Sequence, residues 1–412
     1  MWYQPSTNYT IGQRRADGAI CASRACGMGM NSRVSRRFCL RLPLLAGMAA
    51  LSGACGAPRL SGEVNVYVAV PLSGSQANGG QTVLGGAHLR AEQINTAGGL
   101  LGRRVVVTGL DDQADSDVAV EVAKQVAADM SAGKPVLGVV GHYNSGQTLA
   151  AMEIYKDLDL TVVTPTASNV TLTQKGYRNF FRVNATDAAQ GKADAAFLVQ
   201  SLKARRVALV HLDDDYGNGL RDTVTANLKT LGAEVVADII IQEAADRHDA
   251  AVARIKAVNP DVIFLAAYET EGYVLLPQLR EEQVSAPFMA GDACFLSALI
   301  DESGKAAEGA YVSGFTPSPS SVADAKWTRQ YQAVEQRNPD TYSIVGYMAM
   351  DVLARGAQAA RSFSGAKVSE AIRRLDYQGL GGRIAYDENG DLREQRIYIF
   401  QVQQGQFVQV SP

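Results

Sequence analysis

Residues 135–169 read PVLGVVGHYNSGQTLAAMEIYKDLDLTVVTPTASN, from Pro135 to Asn169. Val136 to Val140 is a short apolar, largely β-branched run of the length a buried strand needs, and it ends in the polar loop Gly141-His142-Tyr143-Asn144-Ser145-Gly146. A helix follows it. Thr148, Ala151, Met152, Ile154, Tyr155 and Leu158 recur at helical spacing, and a second buried strand, Leu160 to Val163, stops at Thr164-Pro165 and opens the loop Thr166-Ala167-Ser168-Asn169. The stretch is a βαβ unit.

In an open parallel sheet ligands sit beyond the carboxyl ends of the strands, where both polar loops fall. The first loop also feeds a helix N-terminus, whose free N–H groups attract an anion. Ser145, Thr166 and Ser168 add hydroxyls, and neither loop contains Lys or Arg. That composition suits one small carboxylate held by neutral donors; a polyphosphate would recruit cations and a glycine loop. Taken alone, each serine reads more readily as an ordinary loop or capping residue.

Outward from this unit the same alternation continues. Glu63 to Val70 is a strand, Pro71 to Gly80 a loop of small residues, Thr82 to Asn95 a helix, and Arg104 to Thr108 a strand. After Thr186 the pattern restarts with the strand Arg206 to His211, the loop Asp213 to Gly217 and a helix over 218–231. Strands follow at Glu234 to Ile241, Val262 to Ala267 and Pro287 to Ala290. Repeated in two blocks, this predicts an α/β protein of two doubly wound parallel-sheet lobes. Ala310 to Phe315 returns the chain toward the first lobe, and helices over 323–336 and 342–360 follow. The text ends in a turn at Asn389-Gly390 and two alternating strands. The lobes are expected at 62–186 with 315–383, and at 187–314 with 384–412. The acidic loop Asp111 to Ser116 lacks the spacing of a calcium loop and reads as a helix-capping turn, so no metal or cofactor is expected. His211 has no nucleophile at useful spacing and reads as a packed or exposed histidine.

Residues 1–55 differ in character. Arg33, Arg36, Arg37 and Arg41 precede the apolar run Leu42 to Ala50, which is short for a membrane span, and Leu51-Ser52-Gly53-Ala54-Cys55 resembles a bacterial lipobox. Cleavage before Cys55 and lipidation of its thiol are expected, which makes the protein exported and held at a bacterial membrane, in the periplasm or at the cell surface. Ser35-Arg36-Arg37-Phe38 leaves Sec and twin-arginine export both open, and Met28 or Met30 is the expected start. Seven of the 39 basic residues but only Asp17 of the 42 acidic ones lie within 1–55, so the remainder carries a net charge of −9. An acidic chain without basic clusters argues against nucleic acid as a partner. Walker, GxGxxG, HExxH and GxSxG motifs are missing, so no enzyme activity is expected.

From about residue 62 to the C-terminus the chain resembles the type I periplasmic binding proteins of the branched-chain (Leu/Ile/Val) amino-acid class. The resemblance is carried by Pro71-Leu72-Ser73-Gly74, Ile94-Asn95-Thr96-Ala97-Gly98-Gly99-Leu100-Leu101-Gly102, Asp111-Asp112, Val139-Val140-Gly141-His142, Thr164-Pro165-Thr166-Ala167-Ser168, Arg182, Asp215-Tyr216-Gly217 and Gly390-Asp391-Leu392. It implies a Venus-flytrap of two lobes joined by a three-crossover hinge, monomeric, closing on a small amino-acid-like ligand and delivering it to the permease and ATPase of an ABC importer. A sensor of the same fold, reporting to a receptor or regulator, is the alternative.

By resemblance, Ser145 and Ser168 hold the ligand carboxylate and Tyr216 covers it. The Thr166 carbonyl, the Ser168 hydroxyl and Asp292 hold the ammonium, with Tyr268 on the same wall. Asp292 stands where this class often has Glu. Gly79 stands where an aromatic often covers the ligand side chain, and Tyr143 and Asn144 add polarity to that wall. Those departures predict a roomier, more polar side-chain pocket than leucine wants.

Overall fold

The computed structural model describes residues 60–411. The export signal and Cys55 lie outside the described residues. Five parallel strands form the first sheet in the order β2-β1-β3-β4-β5: β1 (Glu63–Val70), β2 (Arg104–Asp111), β3 (Val136–Gly141), β4 (Thr161–Thr164) and β5 (Phe180–Arg182). Every residue of β3 is buried, as a strand covered on both faces must be. The alternation along β1 shows how two layers arise from one strand. Val64, Val66, Val68 and Val70 face one apolar layer with Val83, Ala87 and Leu353, whereas Tyr67 and Ala69 face another with Val122, Val126 and Tyr155. Helices Ala77–Thr96 and Thr341–Ala360 pack on each other, and Ser116–Ser131 packs on Ser145–Tyr155.

The second sheet has seven strands in the order β14-β13-β10-β9-β8-β6-β7: β6 (Arg206–Leu212), β7 (Glu234–Ile241), β8 (Val262–Ala266), β9 (Phe288–Ala290), β10 (Tyr311–Gly314), β13 (Tyr398–Gln403) and β14 (Gln406–Ser411). β13 runs antiparallel to β10 and to β14. β11 (Asp376–Gln378) and β12 (Arg383–Ala385) form a small separate hairpin. The chain leaves the first sheet after β5, sends the helix Thr341–Ala360 back against β3 and β4 after β10, and returns to the second sheet between β12 and β13. Two of these passages are tied together, since the Thr186 N–H and hydroxyl both donate to Gln395 Oε1 at 2.9 Å.

Two helices begin earlier than their sequence suggests. Ala77–Thr96 includes Gly79 and Gly80, which read as loop. Both are helical glycines kept for close approach: a Cβ on Gly80 would sit 1.8 Å from the Pro71 carbonyl oxygen, and one on Gly79 would sit 2.3 Å from the Tyr143 hydroxyl. Asp215–Thr230 likewise takes in Asp215, Tyr216 and Gly217, because Asp214 caps it by accepting from the Gly217 N–H at 2.6 Å. His211 is buried and faces Asp238 at 2.9 Å.

Candidate functional site

Strand order reverses between β1 and β3 in the first sheet and between β6 and β8 in the second, so a crevice opens at each of these points. The carboxyl ends of these strands face one cleft. Tyr143, Asn144 and Ser145 follow β3; Thr166 and Ala167 follow β4; Tyr216 follows β6, Tyr268 follows β8 and Asp292 follows β9. All of them, with Ala293 and Tyr342, line a single small cavity.

On the first-sheet side the wall is made of neutral donors and caps. Ser145 opens its helix, Asn144 provides no side-chain cap, and Ser145 Oγ accepts from the Asn169 N–H at 3.2 Å. The Thr166 hydroxyl donates to the Tyr143 carbonyl at 2.6 Å, and the Thr166 carbonyl accepts from Asn184 Nδ2 at 3.0 Å. Ser168 is buried and its hydroxyl has no partner. Beneath this loop lies Arg182, fully buried, donating to the Ala167 and Asn169 carbonyls at 3.0 and 3.2 Å and facing Asp391 at 2.6 Å. Arg182 therefore fixes the backbone that carries Thr166 and Ser168.

On the second-sheet side the wall is acidic and phenolic. Asp292 is 2% exposed; Tyr216 donates to its Oδ1 at 3.0 Å, and Tyr342 donates to its Oδ2 at 3.1 Å and to its carbonyl at 2.9 Å. Burial pushes the Asp292 carboxyl up to about 6, against hydrogen bonds that favour the anion. Tyr216 packs on Tyr268 with ring centroids 5.3 Å apart, and the Tyr268 hydroxyl donates to Asp214 at 3.1 Å. Tyr342 belongs to the helix packed on the first sheet, so its bonds to Asp292 cross the cleft. Asn169 to the Asp215 carbonyl (2.7 Å), Gln76 to Glu243 (2.9 Å) and Thr270 to the Ser75 carbonyl (3.0 Å) cross it too.

Of the expected ligand-binding residues, Ser145, Thr166, Tyr216, Tyr268 and Asp292 line this cavity and Ser168 does not, and the side-chain pocket differs as well. The space next to Gly79 is not open, because the Tyr143 ring fills it, and the cavity volume is about 10 Å³, a single-water site. The expected roomier pocket is absent from this arrangement of the lobes. Sequence reading also missed Tyr342 and Glu269. Tyr342 reads from the sequence as the first residue of a helix, and Glu269 follows the strand Val262 to Ala267 with no role assigned; in the structure Tyr342 is the second residue of Thr341–Ala360 and lines the cavity, and Glu269 opens the helix Glu269–Glu281 and is buried beside the cavity residue Tyr268. Among the described residues no cluster of His, Cys, Asp and Glu could hold a metal ion, and no helix is long and apolar enough to cross a membrane.

A family model described as periplasmic binding protein matches residues 63–406. An amino acid binding protein of Pseudomonas aeruginosa is 29% identical over 82% of this chain and 90% of its own length. A leucine-, isoleucine-, valine-, threonine- and alanine-binding protein of the same organism is 28% identical over 86% and 93%. Among solved structures, the leucine-binding protein LivK of Thermotoga maritima superimposes with a TM-score of 0.78 at 26% identity, covering 84% of this chain and 98% of that one.

Proposed function

This chain belongs to the periplasmic binding protein family, and from that premise we propose that it captures a small amino-acid-like solute outside the cytoplasm by closing its two lobes, as the binding component of an ABC importer. The observation that carries the reading is the pairing of opposite chemistries across one cleft. Asp292 is a buried acid held between Tyr216 and Tyr342, and it faces a wall of hydroxyls and a helix start without cations. A zwitterion matches both sides at once. Its ammonium lies against Asp292, the Thr166 carbonyl and the Ser168 hydroxyl. Its carboxylate lies against Ser145, Ser168 and the first N–H groups of the helix, with Tyr216 and Tyr268 closing over it.

Each charge-assisted bond contributes about 1.5–3 kcal/mol net, so three or four of them with some apolar burial give roughly micromolar affinity. Burial raises the Asp292 carboxyl, and an ammonium beside it would lower it again and restore the anion. Closure presents both lobes to a permease, while a lipid on Cys55 keeps the protein at the membrane. A thermal-shift screen of the purified protein against the twenty amino acids tests this. A ligand that binds only the folded form raises stability by about 2.7 kcal/mol at a hundredfold excess over Kd. Silence across all twenty refutes the zwitterion reading.

A further inference from the structure

Two polar groups that line the cavity, and one beside it, are left idle by these contacts. Glu269 is 1% exposed, and neither oxygen of its carboxylate has a hydrogen-bond partner. The Tyr143 hydroxyl and the Asn144 Oδ1 are also buried and unpaired. They form one patch. Tyr143 and Asn144 line the cavity with Asp292, and Glu269 opens the helix Glu269–Glu281 directly after the cavity residue Tyr268. Glu269 is the strongest charge acting on the Tyr143 hydroxyl, which in turn sits against Gly79. The Gly79 N–H eases the Glu269 carboxylate slightly without forming a bond of normal geometry. Burial pushes that carboxyl up to about 8.

Glu269 is therefore largely protonated near neutral pH in the free protein, a cationic group beside it returns it to the anion, and a carboxylate and an amide oxygen then accept hydrogen bonds and donate none. Dry and unpaired, such groups are costly, and a leucine side chain laid against them would leave all of them unpaired. A nitrogen that carries hydrogens satisfies them instead. We propose that Glu269, with Tyr143 and Asn144, forms a second polar subsite that selects solutes whose short side chain ends in a nitrogen donor, amine or amide, over branched aliphatic ones. The inference rests on the proposed zwitterion site, since it presumes that the main-chain groups of the ligand engage Asp292 and Ser145. The Tyr143 ring, packed 5.6 Å from that of Tyr342, limits the side chain to a few atoms because it must swing aside to admit more.

Isothermal titration of the purified protein at pH 7 with alanine, leucine, asparagine and 2,4-diaminobutyrate tests this. The expected result is at least tenfold tighter binding of asparagine or diaminobutyrate than of leucine. The variants Glu269→Gln and Tyr143→Phe should each shrink the ratio between that ligand and alanine at least fivefold. Diaminobutyrate as the winner identifies an amine, asparagine an amide. Leucine binding as tightly as either, or an unchanged ratio in both variants, overturns the second subsite while the zwitterion site stands. No binding of any of the four overturns the second subsite, and the screen across the twenty amino acids then decides the zwitterion site.

Discussion

The two walls of the cleft are built by the same device, a strand end feeding a helix, yet they solve opposite problems. On the first-sheet wall the polar groups are hydroxyls and backbone N–H groups, which are neutral and inexpensive to bury once bonded; Thr166 and Ser145 already have partners. On the second-sheet wall the polar groups are carboxylates, and burial penalises their charge: Asp292 is pushed up to about 6, Glu271 to about 7 and Glu269 to about 8. Asp187, which opens the helix after β5 and lies by Ser168, is pushed to about 7 by burial, with neither oxygen in a bond of normal geometry. The lesson is an asymmetry of chemistry. One wall offers neutral donors, and the other holds carboxyls that burial drives toward the protonated form and that a cation would return to the anion.

The largest effect should come from the acidic wall. Asp292→Asn is expected to weaken amino-acid binding at least a hundredfold by calorimetry, while keeping hydrogen-bonding groups for Tyr216 and Tyr342. Asp292→Ala is the poorer test, because it leaves the buried Tyr216 hydroxyl without its acceptor, at a cost of about 1–3 kcal/mol, and leaves Tyr342 only the backbone carbonyl of residue 292. An unchanged Kd in the Asn variant would mean that the ammonium lies elsewhere. On the neutral wall, Ser168→Ala should cost about tenfold in affinity, one hydrogen bond to a charged group, and leave the Tm of the free protein within a degree or two. The hydroxyl it removes has no partner in the protein.

The pH dependence of the free protein is the subtlest comparison. The folded-state pKa values of Glu269, Glu271 and Asp187 lie above those of the unfolded chain. Folding therefore takes up protons between the two sets of values. Their contribution to stability is fully present below about pH 4 and is lost as pH rises through about 7 to 8. Glu269→Gln should flatten the fall of Tm between pH 5 and 9, by a few degrees at the alkaline end. A Tm that rises over that range in the unliganded wild type would contradict the balance of charge on this wall.

How far these walls were legible from residues alone varies with the kind of contact involved. The βαβ unit at 135–169 could be read because its apolar runs have strand length and its polar loops have no competing periodicity. The two blocks of alternation then led to two parallel sheets, since each crossover needs a helix. Helix starts were harder. Gly79 and Gly80 look like loop residues, and only the Pro71 carbonyl and Tyr143 hydroxyl lying against them explain why a helix tolerates them.

The sequence by itself determined the strand and helix alternation, the doubly wound class, and the loops at strand ends where a ligand belongs, because these depend on local periodicity and on the handedness of the chain. Tertiary structure alone decided that Tyr342, more than a hundred residues from Tyr216 in the chain, shares Asp292 with it, and that Glu269 is buried without a partner. It also decided that Tyr143 takes the room Gly79 vacates. Those outcomes depend on which surfaces meet when the two sheets and their helices pack, and no local pattern encodes a contact between residues that distant.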